Sequence, residues 1–174
     1  MSAEEQGLTR DRYLVIPRVL IFVRRGDDIL LLRGAPNKRT WPNLYNGIGG
    51  HVERGETIKE AALREIAEET SLTVANLTLH GIAAIDADDS TLGIIMFIFA
   101  AQAETRRVHP SAEGELVWFP VNHLPPNEEM VRDLPIIIPL MLDSARVDQP
   151  PFFARYWYDP DGVMRIEING QEMT

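Results

Sequence analysis

Three glutamates carry the most distinctive chemistry in this chain. Glu65, Glu68 and Glu69 fall at i, i+3 and i+4 of a segment rich in Ala, Leu and Ile. On a helix, such neighbours bring their Cβ atoms to about 5–6 Å, and like charges there cost a few tenths of a kcal/mol per pair. They also sit late in the segment, where the helix dipole disfavours negative charge. A local rule broken twice, with no nearby lysine to compensate, is expected at functional sites. Carboxylate oxygens converging from one face suit a hard, oxygen-seeking divalent cation such as Mg²⁺ or Mn²⁺. The plain alternative is a solvated acidic helix face.

The elements that must position these groups can be read along the chain. Residues 1–11 read as a loose polar terminus. Tyr13 to Arg25 is a strand with Pro17 at a bulge or edge, turned at Gly26-Asp27 into a returning strand, Ile29 to Arg33. A Pro-, Gly- and Asn-rich loop over 34–45 leads into Asn46-Gly47-Ile48-Gly49-Gly50, where the backbone must bend or be closely approached. Thr57 to Thr70 contains no Gly or Pro and predicts a helix, with Leu63, Ile66, Ala67 and Thr70 on one side and the three glutamates roughly opposite. Strands follow at Leu72 to Ala84 and Leu92 to Gln102, separated by a polar loop at Asp86, Asp88 and Asp89. Leu116 to Pro120 is a short strand, and Asn127 to Ser144 reads as a second helix that Pro135 and Pro139 must distort. Phe152 to Tyr158 and Val163 to Ile168 flank Asp159-Pro160-Asp161-Gly162, a hairpin turn. No linker divides the chain, so 12–174 reads as one domain closed by this C-terminal β-hairpin.

Composition narrows the function classes. Among 174 residues, 26 acids against 17 Lys and Arg give a formal charge of -9, which argues against a nucleic-acid partner. The charge is uneven: residues 1–49 hold 8 bases and 5 acids, a basic surplus in an otherwise acidic chain. The absence of cysteine excludes disulfides, thiolate metal sites and cysteine nucleophiles. No apolar run reaches the ~18 residues of a membrane span, and MSAEEQGLTR lacks an apolar signal core. A cytoplasmic protein with no membrane association is the expectation. Ile136 to Ile138 and the Phe152 to Tyr158 strand suit a core or an interface, so monomer and homodimer both stay open.

The segment 50–72, GHVERGETIKEAALREIAEETSL, resembles the Nudix box, G-x5-E-x7-R-E-U-x-E-E-x-G-U, with U a bulky aliphatic residue. Gly50, Glu56, Arg64, Glu65, Ile66, Glu68, Glu69 and Leu72 match, and only Ser71 departs, where the family has Gly. The chain is therefore identified as similar to the Nudix hydrolases. In outline it is nearest to the MutT-like and oxidised purine nucleoside triphosphate-hydrolysing members, through Tyr45 to Gly50 and the MVRDLPIIIPLML segment at Met130.

The resemblance implies an α/β Nudix fold, an α/β/α sandwich around a mixed sheet. It implies an enzyme that cleaves the pyrophosphate linkage of a nucleotide or other nucleoside diphosphate-linked molecule, with Mg²⁺ and water, a (d)NTP or oxidised purine NTP giving the monophosphate. A catalytically silent, nucleotide-binding Nudix domain is the alternative. By position, Glu65, Glu68 and Glu69 would hold metal together with the Gly49 carbonyl, Glu65 or Glu68 would assist water activation, and Arg64 and Glu56 would be the supporting pair. Glu113, with Glu115 competing, would add a carboxylate. Arg33, Lys38 and Arg39 would meet phosphates, and His51 would face substrate. Asn46 and Asp133 match base-contacting positions, whereas Val131 and Leu134 replace the Trp and the second acid of the oxidised-purine members. Trp41, Trp118 and Trp157 could supply stacking instead, with core packing as their plain alternative. At Ser71 the helix end is expected to shift by a residue, avoiding the left-handed conformation that Gly adopts there.

Overall fold

The first two strands are apolar on both faces because both faces are covered, a pattern that strands buried on both sides share. The computed structural model describes residues 5–7, 9, 11–86, 91–109, 111–143 and 149–173. Asp88, Asp89 and Ser144 lie outside the described residues. Strand β1 (Leu14–Arg25) sends Val19, Ile21 and Val23 to one side and Leu20 and Phe22 to the other. The odd set packs with Ala61, Ala62 and Ile66 of helix α1 (Ile58–Thr70), and the even set with Leu134, Ile137 and Ile138 of helix α2 (Leu134–Leu142). Ile137 and Ile138, open between core and interface on sequence, are core residues. Among the described residues no helix is long and apolar enough to cross a membrane.

One sheet runs between the helices. Its other strands are β2 (Asp28–Gly34), β3 (Tyr45–Asn46), β4 (Val74–Asp86), β5 (Leu92–Ala103), β6 (Gly114–Pro120), β7 (Phe152–Tyr158), β8 (Met164–Ile168) and β9 (Gln171–Met173). The order is β3-β2-β1-β5-β4-β7-β8-β9, with β6 also paired to β2. The β1–β5 and β4–β7 pairs are parallel and the others antiparallel, which is the mixed sheet expected. β1 pairs with β2 only from Val23 to Arg25. Beyond that point the glycine segment takes the place of β2 beside β1, through hydrogen bonds of Ile21 with Ile48 and of Val19 with Gly50.

Four local expectations are corrected. Pro17 lies neither at a bulge nor at an edge: it stays in unbroken register with Ile95, and its carbonyl accepts from Val52 where the glycine segment leaves β1. The second helix starts at Leu134, because Val131 donates to the Tyr45 carbonyl and holds the preceding residues extended after a 3₁₀ turn at Asn127–Glu129. Pro135 then falls in the first turn, where a missing N–H costs nothing. Helix α1 buries Ala61, Ala62, Ile66, Glu69 and Thr70 and leaves Leu63 39% exposed, so its inward face is rotated toward the glutamates. The C-terminal hairpin gains a third strand, β9.

Helix α1 begins in a capping box, in which Glu60 N–H donates to Thr57 Oγ1 and Thr57 N–H to Glu60 Oε2, a device worth about 1 kcal/mol. Its end does not shift by a residue as the sequence suggested. Ser71 takes the left-handed conformation at φ 58° and donates to the Ala67 carbonyl at 2.9 Å. A side chain pays about 1–2 kcal/mol there that Gly avoids. Ser71→Gly is therefore expected to stabilise the protein by about 1 kcal/mol, raising Tm by roughly 2–4 °C. Calorimetry of the two proteins checks this, and an unchanged or lowered Tm would show that the helix end carries no strain.

Candidate active site

Two glycines let helix α1 press its acidic side against the strand pair. A Cβ on Gly49 would come within 2.1 Å of the Val19 carbonyl oxygen, and one on Gly50 within 2.3 Å of Glu65 Oε1. Close approach therefore requires glycine at both positions. Gly49 N–H reaches Glu69 Oε2 at 3.4 Å.

Arg64 ties the acids together. It forks onto Glu56, with Nε to Oε2 at 3.1 Å and Nη2 to Oε1 at 2.9 Å. Nη1 donates to Glu65 at 2.8 Å and Glu68 at 3.1 Å, and Nη2 to the His51 carbonyl at 2.9 Å. Its hydrogen bonds, with a further one from Glu53 N–H, hold the Glu56 carboxyl below the usual range. A planar guanidinium suits this fork, which fixes the start of the loop, the helix and two of its carboxylates in one frame.

Glu69 differs from its neighbours. It is only 8% exposed, and burial, together with the charge of Glu65, pushes its carboxyl up to about 7. Glu68 lies at the rim with its side chain 61% exposed, and Glu65 between them at 12%.

The residues expected to act together divide between two adjoining cavities. Glu65, Glu68, Glu69, Gly49, Lys38 and Glu113 line one of about 500 Å³. His51 lines it too, and Lys38 Nζ meets Glu113 Oε2 at 2.6 Å. Asn46 and Asp133 line the other, of about 300 Å³, with Trp41, Met96 and Tyr156. Arg64 and Glu56 stand behind the first cavity as its frame. Arg33 lines neither of these two: it donates to the Asn43 carbonyl at 3.3 Å, lies 5.6 Å from the Tyr45 ring, and shares a separate open cavity with Glu115. Arg39 is exposed and likewise lines neither. Of the three tryptophans only Trp41 lines the Asp133 cavity, whereas Trp118 donates to the Arg106 carbonyl and Trp157 packs on Arg155.

Two residues that the sequence reading did not select belong to the site. Arg18 lines both cavities, and its Nε is buried with no hydrogen-bond partner among the described residues. A lone arginine in the apolar run LVIPRVLIFV was the available signal. Tyr156 lines the second cavity, and within an aromatic strand nothing marked it out.

The first cavity fits a hard cation by its chemistry, since carboxylate oxygens are the ligand type such ions prefer. Among the described residues no three acidic or histidine side chains already form a cation cage. Glu65 and Glu68 are turned to Arg64, while Glu69 carries a burial cost that a nearby cation would relieve.

Comparison with known proteins agrees with this geometry. The family model of the NUDIX domain matches residues 15–140. The chain belongs to the Nudix family. An oxidized purine nucleoside triphosphate hydrolase from Danio rerio is 35% identical over 129 residues, covering 73% of this Nudix chain and 80% of that protein. An NAD-capped RNA hydrolase from Pseudomonas syringae is 32% identical over 114 residues, 64% of this chain. This chain spans only 38% of that relative's length. A MutT protein from Bacillus halodurans superposes with a TM-score of 0.67 at 23% identity, over 89% of this chain and 98% of its own, which shows the Nudix fold. The expected family and fold are thus upheld, and the relatives named as hydrolases agree with the expectation of an enzyme.

Proposed function

We propose that this Nudix protein is a divalent-cation-dependent pyrophosphohydrolase acting on a nucleoside diphosphate-linked molecule, with nucleoside triphosphates as the first candidates. The observation that carries the reading is the joining of an acidic cavity to a ring-sized, largely apolar one through Arg18 and Gly49. A nucleotide has the same two ends. The oxidised-purine reading has weaker support, because Val131 and Leu134 are 6% and 0% exposed and offer neither a stacking indole nor a second acid.

Glu65, Glu68 and Glu69 are the groups that would hold Mg²⁺ or Mn²⁺, with the Gly49 carbonyl and Glu113 as additional donors. Held by these groups, such an ion would supply charge to neutralise phosphate oxygens and would lower the pKa of the attacking water. Arg64 fixes the directions of Glu65 and Glu68, and Glu56 fixes Arg64. Of Glu65 and Glu68, the two candidates for assisting water activation, Glu68 is favoured, because its side chain is the more exposed at the rim. Lys38 supplies positive charge at the mouth, and Arg18 lies where the phosphate chain passes from one cavity to the other.

The test is a panel of dNTPs, 8-oxo-dGTP, ADP-ribose, NADH, dinucleoside polyphosphates and NAD-capped RNA, with Mg²⁺ or Mn²⁺ and with chelator. At least one member is expected to be cleaved at a phosphoric anhydride bond, with the cleavage lost in chelator. Tight nucleotide binding without turnover on any member would instead favour a binding module.

A further inference from the structure

The family match ends at residue 140, yet one wall of the ring-sized cavity is built from residues beyond it. Tyr156 and Tyr158 of β7 and Met164 of β8 form that wall. Tyr156 is 2% exposed, and its hydroxyl is buried with no well-formed hydrogen bond among the described residues. Beside it lies the Asp133 carboxyl, 6% exposed and interacting with the Tyr156 hydroxyl. Buried polar groups are normally satisfied, and leaving a hydroxyl unpaired costs about 1–3 kcal/mol. A phenol in this position has an O–H to donate, and an adjacent carboxylate has lone pairs to accept. The cavity's other walls include the apolar Leu20, Ile94 and Met96.

We propose that the β7–β8 hairpin is a specificity element in which Tyr156, side by side with Asp133, reads the edge of a planar nitrogen heterocycle. The edge it fits presents a hydrogen-bond donor to Asp133 and, next to it, an acceptor to the Tyr156 hydroxyl. Nucleobases carry such neighbouring groups, and the apolar walls match their faces. Tyr156 thus sets which ring is accepted, and takes no part in the hydrolytic step. This rests on the nucleotide reading of the joined cavities.

The test compares Tyr156→Phe with the wild-type chain for equilibrium binding of ATP, GTP, CTP and UTP, in parallel with inorganic triphosphate, each with Ca²⁺ or Mg²⁺ and followed by calorimetry. The variant keeps the ring and loses only the hydroxyl. For the preferred nucleotide, the affinity ratio to inorganic triphosphate is expected to fall about tenfold, the range of one hydrogen bond. A merely structural disturbance would weaken both ligands alike and leave that ratio unchanged, which would overturn the proposal. Asp133→Asn, which turns part of the acceptor into a donor, is expected to change the order of preference among the four nucleotides; an unchanged order in both variants would also overturn it. Turnover is measured separately. Nucleotides bound by the wild type but never cleaved would defeat the hydrolase reading and leave the Tyr156 result intact.

Discussion

Glu68→Gln is expected to leave the fold intact and to lower cation-supported turnover by about three orders of magnitude, the effect of losing roughly 4 kcal/mol from the stabilised transition state. The side chain is 61% exposed at the rim of the acidic cavity, where a substitution ordinarily changes stability by no more than about 0.5 kcal/mol. A Gln oxygen still accepts from Arg64 Nη1, so the clamp that now spans 3.1 Å persists. What disappears is the negative charge and the ability to take a proton. Steady-state kinetics on whichever substrate the panel identifies, with a melting curve beside it, checks both halves. Undiminished turnover would remove Glu68 from the catalytic assignment. Glu65→Gln separates these effects less cleanly, because Glu65 packs on the bare Cα of Gly50, and its loss disturbs the approach of helix and loop as well as the charge.

The order of elements and the acidic box were legible because each is written in local terms. The run from Thr57 to Thr70, free of Gly and Pro, announces a helix, and the three glutamates break local charge rules within about one turn. The partnership of Glu56 with Arg64 was likewise readable from the box, and the structure gives it a bidentate form. What escaped the sequence depends on contacts between distant segments. The facing of α1 could not be read from apolar spacing, since Leu63 is left in solvent while Glu69 is drawn in beside the glycine segment. Arg33 and Arg39 were close in sequence to the glycines, but proximity along a loop did not bring them to the glutamates. Tyr156 reaches the Asp133 cavity only because β7 lies parallel to β4 across the sheet. Ser71 departs in the opposite sense: the sequence led to the expectation of a shifted helix end, and the fold instead keeps Ser71 in the left-handed conformation.

Glu69→Gln is expected to make the protein more stable at pH 8 while impairing its use of a divalent cation. Burial, with the charge of Glu65, raises the Glu69 carboxyl from its ordinary 4.5 to about 7. Between those values the folded chain holds a proton that the unfolded chain has released. Stability therefore falls as pH rises through this window, and above it the full cost is present, up to about 3 kcal/mol. Below pH 4.5 both states are protonated and the cost vanishes. Gln keeps an acceptor for the Gly49 N–H and carries no charge at any pH. The variant's Tm should thus exceed that of the wild type by several degrees at pH 8 and converge with it near pH 4. Adding Mg²⁺ at pH 8 should raise the wild-type Tm more than the variant's, since a cation offsets the same buried charge that the substitution removes. Equal melting temperatures at pH 8 would mean that Glu69 ionises without penalty in the folded protein. A larger Mg²⁺ response in the variant would place the cation away from Glu69. Stability lost to a buried carboxylate and recovered on binding metal would reconcile a helix of three crowded acids with a folded domain, and the pH series measures that exchange directly.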